Sequence, residues 1–467
     1  MTTIFINNYG MPIKIKPYKH QIQGFNLCMQ NNGYGLLFDV GLGKSLTAVA
    51  VAGARYLKGE VKKVLIVCPL AVLSVWEREF NNLTVPNAVY SLEGSVSKRL
   101  DLLRHFPKDG LHVAVINYEG ARIMSDYLQR WKPDMLIVDE SQRIKNPQSQ
   151  QSKAVHKLAK QTKYRIILTA TPIGNSIADV FSQWKVIDES IFGNSYYRFK
   201  SQYLIMGGYM QRQIVSVRNM QELLDKAHSK ALRVAKEDAL DLPEQIFETR
   251  YCTLEPKARA IYNGLRDECY GELLNGEITA TNILTKLLRL QQCSNGFLKA
   301  NDSDIYEKVS TAKIELLKET LEDLILGGEK VVIFARFTSE IHEIKRAITK
   351  MDISCLVLDG SVKDKGSVIK EFQDNKDIKV IICQTQVGGV GITLTAASVI
   401  VFYSLTFSLI DYLQAVGRTH RIGQKNRCLY ISLITKNTVD ENIQDAINNK
   451  KSLSETVCEN WKDILKN

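Results

Sequence analysis

The 467-residue chain contains no run of the roughly 18 apolar residues that a bilayer-spanning helix needs, so no transmembrane segment is expected. Its start, MTTIFINNYGMPIKIK, lacks the basic-then-apolar pattern of a secretory leader, and the expectation is a cytoplasmic protein without a membrane partner. Disulfides and zinc are equally disfavoured. The nine cysteines stand singly, with no CxxC pair and no histidine cluster at ligand spacing. Cys68 in VLIVCP and Cys383 in VIICQT lie inside apolar runs, where a thiol packs as a small hydrophobe. Proline is scarce, at 10 residues, and no Gly/Ser-rich stretch or solenoid repeat occurs, so no linker is marked. Charge is not extreme either. The 61 basic residues exceed 50 acidic ones by 11, which suits a polyanionic partner and would also follow from a basic solvated face.

What is present is a globular composition, 45% hydrophobic and 24% charged, long enough for roughly two to four domains. Short apolar runs alternate with helical patterns, which points to α/β units around buried parallel sheets. The first series is GLLFDV (35–40), VLIVCP (64–69), VAVIN (113–117), MLIVDE (135–140) and RIILTAT (165–171). The second is VVIFARF (331–337), LVLDG (356–360), VIICQT (380–385), VIVFYS (399–404) and CLYISLI (428–434). Between them, helical spacing dominates over 220–240, 256–276 and 281–294, and it returns in the tail at 438–465. The expectation is two lobes, 1–240 and 241–467, with helical additions between the two strand series.

Three stretches carry chemistry. In GLLFDVGLGKS a strand runs into Gly41, Leu42, Gly43, Lys44 and Ser45 and then into a helix. Glycines there admit phosphate oxygens close to backbone N–H groups, Lys44 can reach the outer phosphates, and Ser45 is placed for Mg²⁺. The match to a phosphate loop is partial, because Phe38 stands where its first glycine belongs. In DMLIVDESQRIKN a buried strand ends in Asp139 and Glu140, one suited to hold Mg²⁺ and the other to orient or deprotonate water. In QAVGRTHRIGQ (414–424), Arg418 and Arg421 fall on one face if the helix continues. A guanidinium suits the charge that develops in phosphoryl transfer.

In motif order and over nearly its whole length, the chain resembles the Snf2-like branch of superfamily 2 helicases and DNA translocases. HQIQG (20–24) is similar to an adenine-reading Q motif, DVGLGKS to motif I, VLIVCPLAVLSVWEREF to motif Ia and VINYEG to the next strand end. DESQRIKN, LTATPIGN (168–175), VVIFARFTS, QVGGVGITLTAA (386–397) and QAVGRTHRIGQ resemble motifs II to VI. The resemblance implies two RecA-like lobes, with ATP and Mg²⁺ as ligands. It implies Lys44, Asp139, Glu140, Gln414, Arg418 and Arg421 as catalytic residues, and Gln21, Gly41, Leu42, Gly43, Ser45 and Gly391 as nucleotide-binding ones. Ser45 and Asp139 would hold the metal. DNA contacts would fall at Pro69, Asn117, Thr171, Arg336, Thr385 and Thr393. Two departures stand out: Gln142 replaces the usual histidine of motif II, and Ala170 sits within motif III.

The resemblance implies an ATP-dependent motor that moves along duplex DNA and remodels or unwinds branched DNA, in the manner of annealing and fork-remodelling helicases; a monomer is the expectation, with the oligomeric state left open by the sequence. A helicase for RNA or single-stranded DNA is an alternative. So is a nucleotide-gated DNA clamp with little turnover, for which Phe38 and Gln142 are the motive. Tyr196, Tyr197, Phe199 and Tyr203 are candidates for a strand-separating aromatic, against the plainer reading that they are core.

Overall fold

The computed structural model describes residues 7–173, 176–207, 213–239, 243–274, 280–299, 306–362, 364–385, 392–406, 408–421, 423–445 and 447–448. They fall into two compact units, one within 1–240 and the other within 241–452.

The first unit is built on apolar runs too buried to alternate, which is the mark of strands covered on both faces. In chain order the strands are β1 (Gly33–Phe38), β2 (Lys63–Cys68), β3 (Asn87–Ser91), β4 (Leu111–Asn117), β5 (Met135–Asp139) and β6 (Tyr164–Leu168). An antiparallel hairpin, β7 (Leu204–Gly207) and β8 (Gln213–Val217), comes next, and then β9 (Ala231–Val234). The main sheet has the order β3-β4-β2-β5-β6-β1-β9, with every pair parallel. That order sets the C-terminal ends of β5, β6 and β1 side by side, with Asp139 opposite Leu168 and Leu168 opposite Leu36. The helical pattern over 220–240 is corrected here. Its helix ends at His228, and Ala231–Val234 is a strand on the open edge of β1. Backbone pairing along β1 outweighs the local helix preference of ALRV.

The second unit repeats the logic with β10 (Gln245–Cys252), β11 (Phe297–Lys299), β12 (Tyr306–Lys308), β13 (Val331–Ala335), β14 (Cys355–Leu358), β15 (Val380–Gln384), β16 (Val399–Phe402) and β17 (Cys428–Thr435). Its sheet, in the order β10-β17-β16-β13-β15-β14, is parallel throughout, while β11 and β12 form a small antiparallel pair. The fold is therefore α/β, with two RecA-like sheets and helices on their faces. The tail pattern at 438–465 lies for the most part outside the described residues. Among the described residues no helix is long and apolar enough to cross a membrane. The Cys28 thiol is free and buried, and burial pushes its pKa up to about 12, so it packs and does not react.

A charged network lies buried where β13 and β16 end. Lys313 Nζ, with its side chain 1% exposed, donates to Asp440 Oδ2 and to Asn295 Oδ1, each at 2.5 Å. Asn295 passes the link to Glu340 (2.7 Å), whose second oxygen accepts from Ser404 Oγ (2.7 Å) and from the N–H of Arg336 (3.1 Å). Arg336 donates its guanidinium to Gln291 (2.5 Å), whose amide donates to the Leu405 carbonyl. The ammonium is thus shared among groups that would otherwise be desolvated without a counter-charge. Lys313→Met is expected to destabilise the chain by about 3–5 kcal/mol in chemical denaturation, because it strands Asp440 in the interior.

Candidate nucleotide site and nucleic-acid surface

The turn after β1 requires glycine. Gly41 and Gly43 have φ of 92° and 75°, and Gly43 caps the helix Lys44–Leu57 in the left-handed region. A Cβ on Gly43 would also lie 2.1 Å from Gln21 Nε2. Gln21, 2% exposed, donates to the carbonyl of buried Leu42 (3.2 Å) and accepts from the Tyr18 N–H (2.9 Å), while His20 Nε2 lies 2.8 Å from the same Leu42 carbonyl. Expected to read adenine, Gln21 here has both ends of its amide engaged by protein, and it buttresses the loop. Lys44 donates to the carbonyls of Phe38 (2.8 Å) and Asp39 (3.3 Å). Burial pulls its pKa down, while Glu140, Asp139 and Asp39 pull it up. Ser45 comes after it in the first helical turn, whose N–H groups have no intrahelical partners.

Asp139 closes β5, 9% exposed, and accepts from Trp76 Nε1 (3.3 Å) and from the Glu140 N–H (3.0 Å). Burial, reinforced by the Glu140 charge and opposed by Lys44, pushes its carboxyl up to about 7. Glu140 sits at φ 53°, a left-handed conformation that costs a non-glycine residue about 1–3 kcal/mol. Tyr118 holds the turn in place, its hydroxyl donating to the carbonyls of Asp139 (2.6 Å) and Glu140 (3.2 Å). Sequence reasoning singled out neither Tyr118 nor Trp76. A tyrosine after a strand and a tryptophan on an amphipathic helix read as core, and only the tertiary contacts mark them.

Gln142 joins this pair to the end of β6. Its Nε2 donates to Glu140 Oε2 (2.5 Å) and its Oε1 accepts from Thr169 Oγ1 (2.7 Å), which in turn accepts from the Thr171 N–H (3.0 Å). A second tie runs beneath it, from Ser141 Oγ to Gln183 (2.7 Å) and from Gln183 to the Pro172 carbonyl (2.6 Å). An amide donates and accepts at once without a proton to gain or lose. The substitution at 142 therefore keeps a link between the acidic pair and the segment after β6.

In the second unit the helix Leu409–Val416 stops before Gly417, so Arg418 and Arg421 lie on the turn beyond it and not on the expected helix face. The turn still brings them together: each donates through Nη1 to the Ile392 carbonyl, at 3.2 and 3.1 Å. Gln414 is half-buried in the last turn of that helix, and Gly391 lies outside the described residues.

The expected DNA contacts divide. Thr171 and Thr385 are buried, at 6% and 3%, and Thr385 donates its hydroxyl to the Ala335 carbonyl (3.2 Å). Both hydroxyls are thus turned into the protein, which leaves the backbone as the part of each residue open to a phosphate. Pro69 is buried ahead of a short 3-10 turn, Asn117 caps the helix Tyr118–Ile123 by accepting from the Gly120 N–H, and Arg336 is tied into the Lys313 network. Thr393 is half-buried, with its carbonyl accepting from Gln373 (3.2 Å). Of the four aromatics, Phe199 and Tyr203 are core residues and Tyr196 is half-buried, whereas Tyr197 is 78% exposed.

Comparison with known proteins gives two family matches: the SNF2-related domain over residues 20–297 and the helicase conserved C-terminal domain over 312–423. The chain is 28% identical to chromodomain-helicase-DNA-binding protein 1-like of Danio rerio, covering 96% of this chain and 44% of the relative. It is 27% identical to ATP-dependent helicase fft1 of Schizosaccharomyces pombe, covering 97% and 54%. The chain thus spans about half the length of these curated relatives. Among solved structures, it is 27% identical to the Sulfolobus solfataricus SWI2/SNF2 ATPase core in complex with dsDNA, covering 96% of this chain and 94% of that one with a TM-score of 0.45.

If Gln142 positions Glu140, Gln142→Leu should lower turnover roughly tenfold or more, about 1.4 kcal/mol in the barrier, while nucleotide affinity stays within about twofold. Steady-state ATPase rates beside equilibrium nucleotide binding would show it, and a proportional loss of both would contradict it.

Proposed function

Because the chain belongs to the SNF2-related domain family, we propose that it is an ATP-dependent motor that moves along duplex DNA and remodels branched DNA such as forks and four-way junctions. The observation that carries this reading is the convergence of Lys44, Asp139, Glu140 and the Gln142–Thr169 link on adjacent strand ends of one parallel sheet. Ligands of open α/β sheets bind at that edge.

The residues suit a magnesium nucleotide. The loop before Lys44 offers backbone donors and a helix N-terminus to phosphate. Asp139 and Ser45 form an all-oxygen donor pair of the kind Mg²⁺ takes, and a carboxyl pushed up to about 7 is one that a cation would return to its charged form. Bound Mg²⁺ would supply charge neutralisation on the phosphate oxygens. Lys44 exchanges the Phe38 and Asp39 carbonyls for phosphate oxygens. Glu140 orients the attacking water and takes its proton, at a position fixed by Tyr118 and Gln142. Arg418 and Arg421, already paired on one carbonyl, are assigned the negative charge that develops on the transferred group. Contacts that touch only phosphates position without reading sequence, so binding is independent of sequence and weakens with salt.

ATPase assays across duplex, forked, four-way and single-stranded DNA and RNA test the reading, with duplex and branched DNA expected to stimulate most. Best stimulation by RNA or single strands would favour the other motor class, and none by any nucleic acid would remove the proposal. Glu140→Gln should cut turnover by roughly a hundredfold or more yet leave ATP binding in place. Arg421→Ala should lose hydrolysis more than nucleotide affinity.

A further inference from the structure

Asp39 joins the phosphate loop to the chain that leaves the first unit. Its carbonyl accepts from Lys44 Nζ (3.3 Å) and from the Leu42 N–H (3.3 Å), while its own N–H donates to the Val234 carbonyl (3.0 Å). Its carboxylate faces the same strand: Oδ1 is 2.8 Å from Arg233 Nη1, and Oδ2 accepts from the Lys236 N–H (3.1 Å). Arg233 reaches further back, donating to the carbonyls of Leu37 (3.1 Å) and Val234 (2.8 Å). The Arg233 side chain is 14% exposed and that of Asp39 is 24% exposed, so the pair is sheltered from solvent screening.

The position in the chain gives these contacts a consequence. Among the described residues β9 is the edge strand of its sheet, paired with β1. Lys236–Ala239 is a helical turn just ahead of residue 241, which opens the second unit. A shift of the loop base is therefore carried to the outgoing chain through Asp39. On the phosphate-binding reading, the Lys44 ammonium would leave the Phe38 and Asp39 carbonyls for a phosphate and so release one hold on the loop base.

We propose that Arg233 is a positioning residue whose ion pair with Asp39 passes the state of the phosphate loop to the segment leading into the second unit. The inference rests on the reading of Lys44 as the phosphate-binding lysine of a DNA motor. It assigns Arg233 no contact with nucleotide or DNA. Breaking the pair uncouples hydrolysis from movement and leaves nucleotide binding intact.

The test uses the full chain as wild type, Arg233→Met, Arg233→Lys and Asp39→Asn. For each, three quantities are measured: affinity for a fluorescent ATP analogue with Mg²⁺, turnover with and without duplex DNA, and triplex strands displaced per ATP hydrolysed. Arg233→Met and Asp39→Asn should bind nucleotide within about twofold of wild type and lose roughly tenfold of the DNA-stimulated rate, a coupling loss typical of linked sites. Both should displace fewer strands per ATP, and Arg233→Lys should recover part of the deficit. Wild-type coupling in either Arg233→Met or Asp39→Asn overturns the inference, as does a fall in nucleotide affinity that matches the fall in turnover. Should Arg233→Met fail to fold, Asp39→Asn decides alone, since it retains an oxygen for the Lys236 N–H. If wild type is not stimulated by duplex DNA, the function reading itself fails; a stimulated wild type with unimpaired variants sinks only the ion-pair inference.

Discussion

Two neighbouring carboxylates and an ammonium share a poorly solvated strand edge in the first unit, and the surrounding structure is organised around making that arrangement tolerable. Desolvation and mutual repulsion drive the Asp139 carboxyl toward neutrality, and burial works against the Lys44 charge. Trp76, Tyr118 and Gln142 each commit a polar group to this edge, and Glu140 accepts a left-handed backbone conformation beside those contacts. A site held this way is preorganised for charges it does not yet contain, which is the electrostatic condition for fast phosphoryl transfer.

The second unit solves the same problem for a different purpose. Lys313 is enclosed between Asp440 and Asn295, and the network continues through Glu340 to Arg336. Buried ion pairs add little net stability, but they make a geometry stiff, because moving any member strands another. The consequence is that the end of β13 and its arginine are fixed against Gln291 on a neighbouring helix. In both units the polar groups at the strand ends are joined in linked hydrogen bonds, so displacing one member leaves another without its partner.

Much of the fold is legible in the sequence. Ten apolar runs between turns correspond to ten of the parallel strands, since a strand covered on both faces must be apolar throughout. The strands that escape are those with weaker or mixed patterns. β3 is only half-buried, β10 is an edge strand with Phe247 and Tyr251 exposed, and β9 hides inside a helical pattern. The arginine turn escapes for a related reason: spacing of three residues on a helix and on a turn looks the same until the helix stops, and it ends at Val416 with Gly417 as its cap. Among the candidate residues, Thr171, Thr385, Phe199 and Tyr203 have the right chemistry for an exposed role and are interior.

The sequence by itself determined the phosphate loop, the acidic pair and the alternation that makes two parallel sheets, because glycine, carboxylate and apolar runs act through local rules of backbone and burial. Only the tertiary structure decided that Gln142 spans Glu140 and Thr169, that Tyr118 pins the acidic turn, and that Arg233 clasps Asp39. The last of these joins residues far apart in the chain, and nothing local selects one arginine over another. The parallel register of β9 on β1 does so by setting Arg233 opposite Leu37, two residues before Asp39.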